Sequence, residues 1–174
     1  MKAVIVSYSL TGNNDSLAGS LAAVLGAEHV KITERGRRTM GTIALDNMLK
    51  RVPQVSVPAV KPEERDLVVF VGPVWMGQVA SPFRACFREL GPRLGQYAFV
   101  SICGGAEGPN PKLAAELTKR LGKEPAVLVE LHKADLLPST PKPTRDDTMK
   151  YRVGDEQIRQ LAAKAASELK KITV

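Results

Sequence analysis

Six consecutive residues, Ser9-Leu10-Thr11-Gly12-Asn13-Asn14, place two hydroxyls, a glycine and two amides directly after the apolar run Ala3-Val4-Ile5-Val6 and directly before a stretch of helical period. That combination suits an anion. The glycine lets the backbone approach closely, the hydroxyls donate, and the first N–H groups of a following helix have no partner within the helix. A plain strand-to-helix turn, with Asn14, Asp15 or Ser16 as cap, is the alternative. The loop holds no lysine and lacks both the G-x-x-x-x-G-K-[ST] pattern of a nucleoside triphosphate loop and the G-x-G-x-x-G of a dinucleotide fold. What remains is a cradle for one phosphate, as on a mononucleotide.

Two further stretches share this character. Gly72-Pro73-Val74-Trp75-Met76-Gly77 follows an apolar run and carries the chain's only tryptophan. A flat ring there can stack on a flat ligand, the glycines let backbone polar groups reach a heterocycle, and Pro73 stiffens the turn before binding. Trp75 packed half-buried beneath a loop is the competing reading. Cys103-Gly104-Gly105-Ala106-Glu107-Gly108-Pro109 ends another apolar run and could lie along a planar edge.

The elements that must hold these loops follow from periodicity. Continuous apolar runs at 2–7, 66–71, 97–103 and 126–131, and a weaker one at 28–33, read as buried parallel strands. Helical periods alternate with them at 15–26, 40–51, 79–90, 111–121 and 155–172. This is an α/β pattern: a three-layer sandwich with a five-stranded parallel sheet of order 2-1-3-4-5. In that order ligands bind outside the carboxyl ends of the strands where the order reverses, which selects loops 8–14, 72–78 and 104–110. The 174 residues form one domain, with an extended loop at 132–154 and a C-terminal helix at 155–172.

Together the three loops resemble those of the flavodoxin family over residues 1 to 131. The first resembles its [ST]-x-T-G-x-T phosphate loop, the second its ring-stacking loop, the third its pyrimidine-edge loop. The resemblance implies FMN as cofactor. Ser9, Thr11, Gly12, Asn13 and Asn14, with Leu10 through its backbone, would hold the phosphate; Pro73, Val74, Trp75, Met76 and Gly77 would cover the isoalloxazine; Cys103, Gly104 and Gly105 would meet its pyrimidine end. Three departures stand out. Asn14 replaces the family's last hydroxyl, Asp15 sets a negative charge where the phosphate would sit, and the third loop has no aromatic to cover the outer flavin face. The net charge is +7, whereas electron carriers of this family are typically acidic. An open ring face and positive charge resemble more an FMN-dependent oxidoreductase that takes hydride from NAD(P)H and passes electrons to a quinone-type acceptor. A flavodoxin-type electron carrier serving a redox partner protein is the alternative, and a flavin-free scaffold domain the third. No catalytic residue is assigned.

Other chemistries on such a sheet fail on residues. A receiver domain needs acidic residues after the first strand and an aspartate after the third, where the chain has Ser7-Tyr8-Ser9 and Val71-Gly72-Pro73. A C-x₅-R phosphatase loop and a G-x-S-x-G elbow are missing. With His29 and His132 the only histidines and no Cys/His spacing, no metal site is expected. His132, just past the fifth strand, is expected to be structural or solvent-exposed. Cys86 and Cys103 are read as free thiols. The basic cluster Arg35-Gly36-Arg37-Arg38 reads as a solvated loop or a dock for an anionic cofactor or partner. Few aromatics and no basic tail argue against nucleic acid, and no apolar run approaches a membrane span. A soluble, cytoplasmic protein is expected. In 132–154, Arg145, Lys150 and Arg152 could attract an anionic dinucleotide or acidic partner, and Tyr151 could cover the ring, within one chain or across a homodimer.

Overall fold

The computed structural model describes residues 2–34, 36 and 38–172; Arg35 and Arg37 of the basic cluster lie outside them. Five strands, β1 (Ala3–Ser7), β2 (Glu28–Lys31), β3 (Leu67–Val71), β4 (Tyr97–Cys103) and β5 (Val127–His132), form a wholly parallel sheet in the order β2-β1-β3-β4-β5. This is the 2-1-3-4-5 order expected from the alternation of elements. The helices are α1 (Asn13–Leu25), α2 (Met40–Met48), α3 (Phe83–Leu90), α4 (Leu113–Leu121), α5 (Arg145–Lys150) and α6 (Asp155–Lys170).

Successive side chains of a strand point to opposite faces, so a strand covered on both sides must be apolar throughout. In β1, Ala3 and Ile5 pack with Leu17, Leu21, Ala162 and Leu169 of α1 and α6, while Val4 and Val6 pack with Phe83, Phe87 and Leu117 of α3 and α4. Phe70 anchors the second layer, meeting Phe83, Phe87 and Tyr97 edge-on at centroid separations of 6.0, 5.0 and 6.1 Å. Each such ring contributes about 1.5–3 kcal/mol by leaving water. The same two layers fix the register that brings the strand ends level: Ser7 lies opposite Lys31 and Val71, and Cys103 opposite His132.

Three differences from the sequence reading matter near those ends. Residues 79–82 do not begin a helix, because Gln78–Val79 folds back on Val74–Trp75 as a hairpin and α3 starts at Phe83. Its two-residue turn, Met76-Gly77, has φ of 53° and 77°, the double left-handed conformation whose twist suits a tight hairpin. The second strand stops at Lys31, and Thr33–Glu34 instead pairs antiparallel with Val55–Ser56. Finally, 132–154 is not one extended loop. It contains a 3-10 turn at Lys133–Leu136 and the helix α5, started by a capping box in which Thr144 and Asp147 bond reciprocally.

Candidate functional site: three cross-braced loops

The first loop leaves β1 with Tyr8 N–H donating to the Val71 carbonyl. Gly12, at φ 91°, turns the chain into α1 without a side-chain cap. Its N–H donates to Ser9 Oγ at 3.0 Å, and its carbonyl accepts from Ser16 N–H at 2.9 Å. The N–H groups of Asn13, Asn14 and Asp15 therefore precede the first bond of the helix. Leu10, Thr11 and Gly12 are exposed around them. The two departures in this loop both have structural employment. Asn14 is buried, and its amide bonds the backbone of Ile102 on β4, so its side chain is already engaged. Asp15 accepts from Ser7 Oγ at 2.8 Å and pairs with Lys31 at 3.3 Å, which offsets its charge at the helix start.

Ser7 Oγ also lies 2.8 Å from His29 Nε2. Because the hydroxyl donates to Asp15, the imidazole donates its Nε2–H to Ser7. Burial, then the charge of Lys31, hold the His29 pKa below its ordinary value.

The second loop presents Trp75 half-buried. Tyr8 meets it edge-on, with centroids 5.8 Å apart, and the Arg38 guanidinium lies over the ring at 5.7 Å. One face of the indole is thus already engaged by a cation. Arg38 is not the solvated residue expected from the basic cluster: its side chain is 6% exposed and clamped between Glu34 and Asp46. Burial works against its charge, but bonds to Glu34 and Asp46 prevail and raise its pKa; burial and Glu34 push the Tyr8 phenol up as well. Gly72 is required by space, since a Cβ there would come within 2.2 Å of the Phe83 ring. Pro73 accepts from Ala80 N–H, Val74 pairs with Val79, and Met76 projects at the hairpin tip, 75% exposed, beside Gly77.

The third loop is walled by the segment after β5. The Gly104 carbonyl accepts from Ala134 N–H at 3.0 Å, a Cβ on Gly104 would touch Thr148 Oγ1 at 3.0 Å, and one on Gly105 would fall 2.3 Å from His132 Cβ. Arg145 of α5 pairs with Glu107 at 2.6 Å. Tyr151 bonds Gln157 of α6. Cys103 is half-buried, and burial together with the nearby Glu130 pushes its thiol up to about 12.

Side chains brace these loops pairwise. Asn14 ties the first to the end of β4, Tyr8 sets the first against Trp75, and Asn110 Nδ2 donates to the Gly77 carbonyl at 2.8 Å, joining third to second. All the expected site residues lie at this one end of the sheet. A cleft of about 700 Å³ opens on the β2 side of the first loop, lined by Tyr8, Ser9, Leu10, Lys31, Glu34 and Arg38 among others. Of the expected residues it takes in Ser9 and Leu10 alone.

No family model matches the chain, and no curated protein matches it in sequence. Solved structures do match in shape. A flavoprotein in complex with FMN from Lactobacillus acidophilus superposes with a TM-score of 0.65 at 19% identity, over 74% of this chain and 92% of that one. A putative flavoprotein from Bacteroides eggerthii gives 0.68 at 15% identity over 99% and 98%, and one from Bacteroides uniformis 0.66 at 11% over 91% and 96%. The chain has a flavodoxin-like fold. Within it, the loops described above are those at the reversal of strand order.

Sequence reasoning missed several residues that surround these loops. Arg38, Glu34 and Asp46 converge from separate elements, and nothing in their spacing announced it. The Thr144-x-x-Asp147 box that starts α5 was legible as a capping signal. On the far side of β4, Cys103, Glu130 and His132 bring a thiol, a carboxylate and an imidazole within 4.8 Å of one another; adjacent strands assemble them, so no local motif exists. Among the described residues, no helix is long and apolar enough to cross a membrane.

Proposed function

We propose that this chain binds FMN at the carboxyl ends of β1, β3 and β4 and works as a redox flavoprotein. One observation supports the reading: three loops of suitable chemistry, far apart in sequence, are braced against one another by Asn14–Ile102, Tyr8–Trp75 and Asn110–Gly77. The first-turn N–H groups behind Gly12, with Ser9 and Thr11, fit a phosphate monoester. Leu10, Asn13 and Asn14 contribute backbone N–H groups. Pro73, Val74, Trp75, Met76 and Gly77 border the ring, and Cys103, Gly104 and Gly105 its pyrimidine end. That a neighbour of the same fold was solved with FMN supports the choice of ligand.

The finer reading is an NAD(P)H-dependent oxidoreductase acting on quinone-type acceptors. Bound FMN would supply acceptance of hydride and its onward transfer as electrons. The chain's own part is to hold the ring with one face toward a third loop that carries no aromatic, beside exposed Arg145 and Lys150, which an anionic dinucleotide would have to draw from their ion pairs with Glu107 and Asp146. Titration with FMN followed by absorbance tests the first claim, and stopped-flow mixing of the loaded protein with NADPH tests the second. Reduction within seconds followed by turnover with quinone is the expected result. Failure to be reduced by either nicotinamide, with ready acceptance of electrons from a reductase, would make the protein a carrier for a partner protein instead.

A further inference from the structure

We propose that Cys103, Glu130 and His132 form a binding site for a zinc ion. Cys103 and His132 are directly opposite in the β4–β5 pairing, and Glu130, two residues before His132, projects to the same face as both. Their ligand atoms all lie within 4.8 Å, with His132 Nε2 3.9 Å from Glu130 Oε2. Ligands around tetrahedral zinc stand about 3.5 Å apart, so small side-chain rotations close the triangle. A soft thiolate, a borderline imidazole and a hard carboxylate select zinc over calcium or magnesium, which prefer oxygen alone.

A second observation is independent of the clustering. The His132 side chain is 10% exposed, yet its Nε2 is buried with no hydrogen-bond partner among the described residues, and it is the nitrogen aimed at Glu130. A buried polar atom left unpaired costs about 1–3 kcal/mol, so it calls for an explanation. Ser101 Oγ, on the same face and opposite Glu130 in register, is likewise buried and unpaired. Around them, Glu130 accepts from Asn110 N–H at 3.2 Å, and Asp135 Oδ2 lies 3.9 Å from His132 Nδ1, longer than a hydrogen bond but near enough that a small side-chain rotation would complete the carboxylate–histidine pair that orients a metal-binding ring. On binding, Cys103 joins the metal as thiolate and its proton passes to solvent. Three protein ligands leave a fourth position for water or a small ligand.

The site shares Cys103 with the proposed flavin site but is tested without reference to flavin. Zinc sulfate is titrated into the intact protein by calorimetry, and zinc-edge X-ray absorption is recorded on the complex. One zinc per chain with one directly bound sulfur is expected. Cys103→Ser and Glu130→Gln should each weaken binding by at least the roughly 10–100-fold that loss of an outer partner costs, and Asp135→Asn by about tenfold. Cys86→Ala, in the buried face of α3, should change nothing. Because His132 packs against Gly105 and its replacement could unsettle the fold, the sulfur signature of the unaltered chain is the deciding reading. Less than one zinc per chain, a shell without sulfur, or undiminished affinity in Cys103→Ser would overturn the proposal.

Discussion

Asn14 grips Ile102 by both backbone groups, its Nδ2 donating to the carbonyl at 3.1 Å and its Oδ1 accepting from the N–H at 2.8 Å. A side chain at the start of α1 thereby stands in for the strand neighbour that β4 lacks at that point, and it holds the helix N-terminus against the end of β4. Asn14→Ala should destabilise the fold by about 1–3 kcal/mol, because both groups of Ile102 are left buried and unpaired. Urea unfolding of the two proteins measures it. A change within experimental scatter would mean that water satisfies Ile102 equally well.

Thr11 is exposed in the first loop, and its side chain has no hydrogen-bond partner among the described residues. Thr11→Ala should leave unfolding unchanged while weakening FMN binding by about 1.5–3 kcal/mol, the usual cost of losing a hydrogen bond to a charged group. Riboflavin, without the phosphate, should bind both proteins alike. Equal losses for the two ligands would remove Thr11 from the phosphate.

Trp75 is the only tryptophan, so its emission reports the second loop alone. Arg38 engages one face of the indole, so a stacked flavin would have to take the other. Added FMN should quench the emission, and Trp75→Ala should weaken binding by about 0.5–1.5 kcal/mol beyond the loss of buried area. Emission that ignores FMN would place the ring elsewhere.

Met76 occupies a left-handed conformation at φ 53°, which costs a residue other than glycine roughly 1–2 kcal/mol and which asparagine tolerates. Met76→Asn should stabilise the protein by about 0.5–1 kcal/mol, read from thermal or urea unfolding. If FMN affinity falls at the same time, the exposed methionine covers the ring. A less stable variant would show that the turn does not keep this conformation in solution.

His29 has a folded pKa held below its unfolded value by burial and by Lys31, with Asp15 acting weakly the other way. The unfolded chain then binds the extra proton first. Stability contributed by neutral His29 is complete above the unfolded pKa of about 6.5 and is lost as pH falls from there through the folded value. His29→Gln should flatten this part of the profile. An unaltered slope below neutrality would assign the acid sensitivity to other groups.

Much of this protein is determined by sequence alone, because the relevant signals are local. Val4, Val6, Phe70 and Phe99 had to be buried strand residues on periodicity, and the alternation of strands with helices leaves little besides the 2-1-3-4-5 order and the three loops at its reversal. Tertiary structure decided what each polar side chain in those loops is free to do. Asn14 resembles a phosphate ligand until β4 is seen beside it, and Arg38 a solvated surface charge until Glu34 and Asp46 close around it. His132 and Cys103 are 29 positions apart in sequence and directly opposite in the sheet. Hydrogen bonds and ion pairs act over about 3 Å in space, and the chain reaches that distance between remote residues only when the sheet sets its register; no spacing along the sequence encodes it.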